Sequence, residues 1–174
     1  MAIPLRNQAA DAQDPGTHAT LHYGVAWAEG TARSVDARRA LHAVLAHAAR
    51  TGRTEMPAPT VQDAELAISE LVTNAVKHAP GPCGMALRLS GDHLAITVWD
   101  TSPGRPASRA HDPRRFGGHG WRLVHKVSHR VAVAPRASGK QITAYLRLPP
   151  RDVPGPPDRT VLPASVADPM PPVP

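Results

Sequence analysis

The chain has 174 residues, 41% of them apolar, a net charge of +6 and a single cysteine, Cys83. This length suits one domain with tails, and one cysteine excludes both an internal disulfide and a cysteine-based zinc cluster. No apolar run reaches the ~20 residues that a membrane helix needs. The N-terminus lacks the pattern of a signal peptide, so we expect a cytoplasmic protein. The positive charge favours a polyanionic ligand without choosing between a nucleotide, a nucleic acid and an acidic protein surface.

The prolines mark the end of the folded part. Half of the 20 prolines lie in residues 149–174, and each removes a backbone donor and fixes φ. We therefore predict a disordered, proline-rich C-terminal tail over residues 150–174. Residues 1–20 are polar and patternless and predict a disordered N-terminal tail. The folded domain is then expected over residues 21–149.

The first half of this domain predicts one strand and two helices. Residues 21–28 are rich in aromatic and β-branched side chains, as in a strand. Residues 31–50 and 61–79 repeat apolar residues at helical spacing. Thr60 is the expected N-cap of the second helix, and Pro80 with the following glycine stops it.

The second half predicts two hairpins around a short helix. The order of elements, β-α-α-β-β-α-β-β, favours an α+β fold, a two-layer α/β sandwich with the helices on one face of a mixed, mainly antiparallel sheet. The intervening segment 101–116 has no period, and a loop of that length inside a compact domain tends to be functional. The expected strands are residues 85–89, 94–100, 130–134 and 141–148, and the expected helix is residues 121–128.

Glu70 and Asn74 form the first candidate site. They lie four residues apart on one face of the second helix, away from its apolar stripe. A solvated helix face would explain both residues. Against that, asparagine is a poor helix-interior residue, its carbonyl oxygen suits Mg²⁺, and a glutamate one turn earlier could serve as a general base.

Two further segments carry candidate chemistry. Asp100 ends an apolar strand and is followed by the small-residue turn 101–104. This is either a common Asp turn or a carboxylate that accepts a hydrogen bond from an exocyclic amine such as that of adenine. In residues 117–124, glycines run directly into a helix, which is either a flexible helix start or a site where free N–H groups and the helix dipole favour phosphate.

Together these segments resemble a known superfamily. The motifs ELVTNAVKHA, DTSPG, GGHGWRLV and SGKQITAYL are similar to the boxes of the GHKL ATPases, which include gyrase, histidine kinases and MutL. The closest likeness is to the small bacterial anti-sigma-factor serine/threonine-protein kinases. The resemblance implies a Bergerat-type ATP-binding domain over residues 21–149, with ATP and Mg²⁺ as cofactors. It also implies a sigma factor or an anti-sigma antagonist as partner, no membrane association, and homodimerisation as an open option.

The resemblance assigns roles residue by residue. Asn74 matches the Mg²⁺-binding asparagine, Glu70 the catalytic glutamate that activates the acceptor, and Asp100 the adenine-reading aspartate. Arg33, on the first helix, matches a partner-binding position, and residues 105–116 match the lid over ATP. The remaining nucleotide-binding positions are Ser102, Gly104, Gly118, His119, Gly120, Trp121 and Gln141.

Three positions depart from the family pattern. Trp121 stands where leucine is usual, His119 where a small or basic residue is common, and Gln141 where threonine often lies near the adenine. The favoured function is a kinase that phosphorylates an anti-sigma antagonist and sequesters a sigma factor. The alternative is a nucleotide-dependent binding module without catalysis. A basic nucleic-acid binder is disfavoured, because no recognition motif accompanies the scattered basic residues.

Overall fold

The computed structural model describes residues 20–52, 55–79, 81–104 and 119–149. Both predicted tails and the predicted lid lie outside these ranges, apart from residue 20. Within the described residues the predicted order of elements is confirmed. The elements are β1 Leu21–Trp27, α1 Ser34–Arg50, α2 Ala58–His78, β2 Cys83–Ser90, β3 His93–Asp100, α3 Gly120–Val127, β4 Arg130–Pro135 and β5 Lys140–Arg147.

The start of α2 differs from the prediction. The helix begins at Ala58 instead of residue 61, its N-cap residue is Pro57, and no side chain caps it. The prediction of Thr60 as N-cap was therefore wrong. Pro59 does not prevent the earlier start, because a proline in the first helical turn removes an N–H group that has no helical partner anyway. The helix ends at His78, as the Pro80 signal predicted.

The five strands form one sheet in the order β1-β2-β3-β5-β4. Every pair is antiparallel, so the sheet contains no parallel pair among the described strands. The two predicted hairpins, β2–β3 and β4–β5, are confirmed. Gly139 turns the second hairpin with φ +93°, a conformation that favours glycine.

The strand register separates the two faces of the sheet. On the helix face, Leu87 lies opposite Ile96, and Ile96 lies opposite Ala144; all three are buried beneath α1 and α2. The apolar stripes predicted for both helices are confirmed, with Leu41 and Ile68 fully buried. The other face, here called the open face, carries no helix among the described elements. Its residues are His22, Gly24, Ala26, Gly84, Ala86, Arg88, Ser90, His93, Ala95, Thr97, Trp99, Arg130, Ala132, Ala134, Gln141, Thr143, Tyr145 and Arg147.

Membrane insertion finds no support in the helices of the described ranges: none combines the length and the hydropathy that crossing a bilayer requires.

Candidate nucleotide-binding site

Four chain segments meet at one end of the molecule. These are the C-terminal half of α2, the end of β3, the start of α3 and the start of β5. The link between α2 and β2 lies against the residue after Asp100, since a Cβ on Gly81 would be 2.5 Å from Oγ1 of Thr101. Asp100 faces Lys140 in the β3–β5 register. Gly120 lies against Glu70. The main predicted site residues therefore come from segments that share this end.

Among the predicted site residues that the structure describes, Asp100 is the most buried, with 4% of its surface exposed. Its Oδ1 accepts a hydrogen bond from the Ser102 backbone N–H at 2.9 Å and one from the Lys140 ammonium group at 2.9 Å. The first bond forms an Asx turn, as the simpler interpretation of this aspartate predicts. The second bond was not expected from the sequence.

Ser102 and Gly104 continue the turn after β3. Oγ of Ser102 accepts a hydrogen bond from the Gly104 N–H at 3.3 Å. The Ser102 carbonyl oxygen accepts one from Lys140 at 3.1 Å. A Cβ on Gly104 would meet Oγ of Ser102 at 3.5 Å, which is ordinary contact. Packing within the described residues therefore does not demand glycine at position 104.

Glu70 lies against the start of α3. A Cβ on Gly120 would collide with Oε2 of Glu70, so Gly120 must be glycine for the carboxylate to occupy this place. A carboxylate near a helix N-terminus is stabilised by the helix dipole. His119 is the N-cap residue of α3, and its carbonyl oxygen accepts the first helical hydrogen bond, from the Leu123 N–H at 2.9 Å.

Asn74 lies one helical turn after Glu70 on α2, and both side chains are half-buried. Residues four apart on a helix share a face, so the amide and the carboxylate are neighbours. Neither side chain forms a hydrogen bond with another described residue. No group of three or more His, Cys, Asp or Glu side chains suited to a metal ion occurs in the described ranges.

The structure does not bring Gln141 together with Asp100. Side chains alternate along a strand, and Gln141 lies opposite Trp99 on the open face, whereas Lys140 lies opposite Asp100 on the helix face. Trp121 packs against the hydrophobic core and lies edge-on to His125, with ring centroids 4.7 Å apart. Packing by itself accounts for this tryptophan.

Arg33 is the N-cap residue of α1. Its Nε lies 2.9 Å from Oδ2 of Asp36, and 69% of its side-chain surface is exposed. Arg39 approaches the same carboxylate at 3.6 Å. Gly118 and the lid segment 105–116 lie outside the described residues.

A shallow depression borders the other end of α2. It is lined by Met56, Val61 and Glu65 among others, and Glu65 pairs with His42 of α1. This depression contains none of the predicted site residues.

Cys83 lies near the same end as Asp100 and is 3% exposed. Burial, and secondarily the negative charge of Asp100, raise the pKa of its thiol above the ordinary value. A buried thiol of raised pKa holds little reactive thiolate. Cys83 is therefore an inert part of the core.

Comparison with known proteins identifies the family. Residues 30–146, more than half of the chain, match the histidine kinase-like ATPase domain, and the chain belongs to this family. Among solved structures the chain is similar to the RsbU and RsbW domains of Rv1364c from Mycobacterium tuberculosis, with 22% identity and a TM-score of 0.45. That match covers 76% of this chain and 34% of the other. A search of curated proteins finds no significant match.

Sequence reasoning missed one residue at this end, Lys140. It is 7% exposed and bonds to both Asp100 and Ser102. The only available signal was its position next to Gly139 in the SGKQITAYL motif. Its partner 40 residues earlier becomes visible only through the strand register.

Proposed function

We propose that this chain is a cytoplasmic, ATP-binding anti-sigma factor with protein-serine kinase activity. In this proposal it phosphorylates a serine of an anti-sigma antagonist and sequesters a sigma factor. The family supports ATP as the ligand. The observation that carries the catalytic part is the position of Glu70, whose carboxylate lies beside Gly120 at the N-terminal end of α3.

The described residues fit Mg²⁺–ATP. The first N–H groups of a helix have no helical acceptor and favour phosphate, and α3 begins at Gly120. Asn74 offers an amide oxygen of the kind that Mg²⁺ accepts. Oδ2 of Asp100 receives no hydrogen bond from the described residues, so it can accept one from a base amine.

In the proposed reaction the protein mainly positions groups and neutralises charge. When bound, Mg²⁺–ATP supplies the phosphoryl group and the metal charge that such transfer needs. Glu70 orients the serine hydroxyl of the partner and accepts its proton. Asn74 would hold the metal through its amide oxygen, and Asp100 would fix the base end.

A non-catalytic, nucleotide-dependent binding module is the second candidate. It is favoured by the same contact, because a carboxylate at the start of α3 stabilises the helix by its attraction to the helix dipole, without any chemistry. In that case Glu70 would be structural, and ATP would only shape a surface for a regulator.

Glu70→Gln separates the two candidates. We expect the variant to keep ATP affinity within about threefold, as measured by calorimetry with Mg²⁺, because the amide preserves the shape. Transfer of labelled γ-phosphate to a panel of antagonist proteins should fall by about 100-fold or more, the usual worth of a general base. Glu65→Gln, on the same helix but beside His42, is the matched control. No transfer by the wild-type chain would exclude the kinase and leave the binding module, whereas transfer by Glu70→Gln at the wild-type rate would remove Glu70 from the catalytic step.

The proposed partner contact of Arg33 has its own control. Arg33 and Arg39 are both exposed and share Asp36, so either change to alanine perturbs the same carboxylate. We expect only Arg33→Ala to weaken binding to a sigma factor or antagonist, by about tenfold for a lost charged contact. Equal effects of the two variants in a pull-down titration would remove Arg33 from the interface.

A further inference from the structure

A buried ion pair closes the end of the sheet where the base is proposed to bind. Lys140 and Asp100 are 7% and 4% exposed, and Nζ lies 2.9 Å from Oδ1. Burying two charges costs free energy that their attraction regains only with good geometry and further hydrogen bonds. Such a pair is therefore weak evidence for stability, and its presence calls for another explanation.

The pair is joined to the turn that follows β3. The Lys140 ammonium group donates to Oδ1 of Asp100 and to the Ser102 carbonyl oxygen, while the Ser102 N–H donates to the same Oδ1. Both bonds to the Asp100 carboxylate use the same oxygen, Oδ1. Oδ2 is left without a hydrogen bond from the described residues, and its orientation is fixed because Oδ1 is held from two sides.

Gly139 allows the start of β5 to lie close enough to the end of β3 for Lys140 to reach Asp100. A Cβ on Gly139 would collide with the Asp100 carbonyl oxygen and would lie 2.6 Å from Cα of Thr101. The absence of a side chain thus lets the start of β5 approach the end of β3 closely. The next residue, Lys140, then lies directly opposite Asp100.

We propose that Lys140 is a positioning residue for the nucleotide base. It supplies the opposite charge that Asp100 needs in a site closed to water, and it holds that carboxylate with Oδ2 presented to the exocyclic amine of the base. It also ties Ser102, the start of the turn, to the same point. This inference rests on the proposed function, since it assumes that Asp100 reads a base.

The effect is specific to the base end of the ligand. Lys140 contacts Asp100 and Ser102, whereas the proposed phosphate end lies at Gly120 and Glu70. Removing the ammonium group should therefore weaken binding of a nucleotide and spare binding of a triphosphate that has no base. A lysine that only stabilised the fold would show no such difference between the two ligands.

The test compares ATP with inorganic tripolyphosphate, both with Mg²⁺, by calorimetry on the full chain. For Lys140→Met we expect ATP affinity to fall about tenfold or more, because a hydrogen bond to a charged group is worth about that factor. Tripolyphosphate affinity should stay within about twofold, and Lys140→Arg should fall in between. Lys126→Met is the matched control, since Lys126 is an exposed lysine in the last turn of α3.

The double variant keeps the test decisive if Lys140→Met folds poorly. Asp100→Asn with Lys140→Met leaves no buried charge, and its ATP affinity should equal that of Asp100→Asn alone, because Lys140 acts through Asp100. Additive losses, an unchanged ATP affinity, or equal losses for ATP and tripolyphosphate would each overturn the inference. A wild-type chain that binds neither ligand would instead overturn the proposed function, and this inference with it.

Discussion

The two faces of the sheet use the same five strands but carry charge in opposite ways. On the helix face the strand residues are apolar or aromatic except for one charged pair, Asp100 and Lys140. On the open face, arginines extend from three strands and no strand residue is acidic. Arg88 and Arg130 even share one row with His22, Ala95 and Tyr145 across the whole sheet.

This contrast shows which charged residues indicate a functional site. The open-face arginines Arg88, Arg130 and Arg147 are exposed. Arg130 lies 5.6 Å from the centre of the Tyr145 ring, and Arg136, in the turn between β4 and β5, lies 5.1 Å from the centre of the Trp99 ring. Exposed charges remain hydrated, so they cost little free energy on folding and contribute little to stability. Burying an ion pair costs desolvation free energy. The Asp100–Lys140 pair on the helix face is therefore a stronger indication of a functional site than the exposed arginines.

The largest expected effect on stability is at the buried pair. Lys140→Met leaves Asp100 buried without its cation, which should lower the free energy of unfolding by about 3–5 kcal/mol. Adding Asp100→Asn should restore most of this loss, because the second change removes the uncompensated charge. Urea denaturation of the single and double variants measures both. A double variant as unstable as the single one would contradict this account of the pair.

Ile96→Ala probes the apolar part of the same face. Ile96 is fully buried at the centre of the sheet, and removing a buried isoleucine to alanine costs about 3 kcal/mol. Ile96→Val, which removes a single methylene group, should cost about 1 kcal/mol. Equal denaturation midpoints for the wild type and Ile96→Ala would show that this position is not part of the core.

Gly84→Ala tests the open face at its most closely packed point. A Cβ on Gly84 would lie 2.5 Å from the Trp99 ring, so Trp99 and the stacked Arg136 must shift. Overpacking of this kind costs about 1–2 kcal/mol. Ala86→Val, on the same strand and face but exposed, should change stability by less than about 0.5 kcal/mol. A larger loss for Ala86→Val would reverse the expected order.

Thr97→Val should lower stability less than the changes at the buried pair, at Ile96→Ala and at Gly84. Its hydroxyl group hydrogen-bonds to that of Thr143 at 2.9 Å on the open face, and loss of this bond costs about 1 kcal/mol. Changing both threonines to valine should be close to neutral, because no polar group is then left unpaired. A double variant that loses the sum of two single effects in urea denaturation would argue against this hydroxyl pair.

Much of the fold could be predicted because periodicity reports burial directly. The stripe on α2, including Ile68 and Leu71, repeats every three or four residues and is buried. The start of α2 could not be found this way, since Thr60 is a good N-cap by residue type, while the prolines around Ala58 permit an earlier start.

Only those features of the candidate site that depend on residues close in sequence could be predicted. Glu70 and Asn74 share a helix face by spacing alone, and Asp100 ends an alternating strand. The family resemblance assigned Gln141 to the site and did not name Lys140, and no local signal states which of two adjacent strand residues faces the helices. That depends on the β3–β5 register, which is set by pairing between distant segments. The contact of Glu70 with Gly120 likewise depends on the packing of α3 against α2.

The burial of Cys83 provides a direct way to follow opening of this end of the sheet. Cys83 is the only thiol in the chain, and it pairs with Trp27 at the β1–β2 edge. A thiol reagent should modify it only after this edge separates locally. The labelling rate at several reagent concentrations therefore gives the free energy of that separation, without a denaturant and without altering any residue of the proposed site.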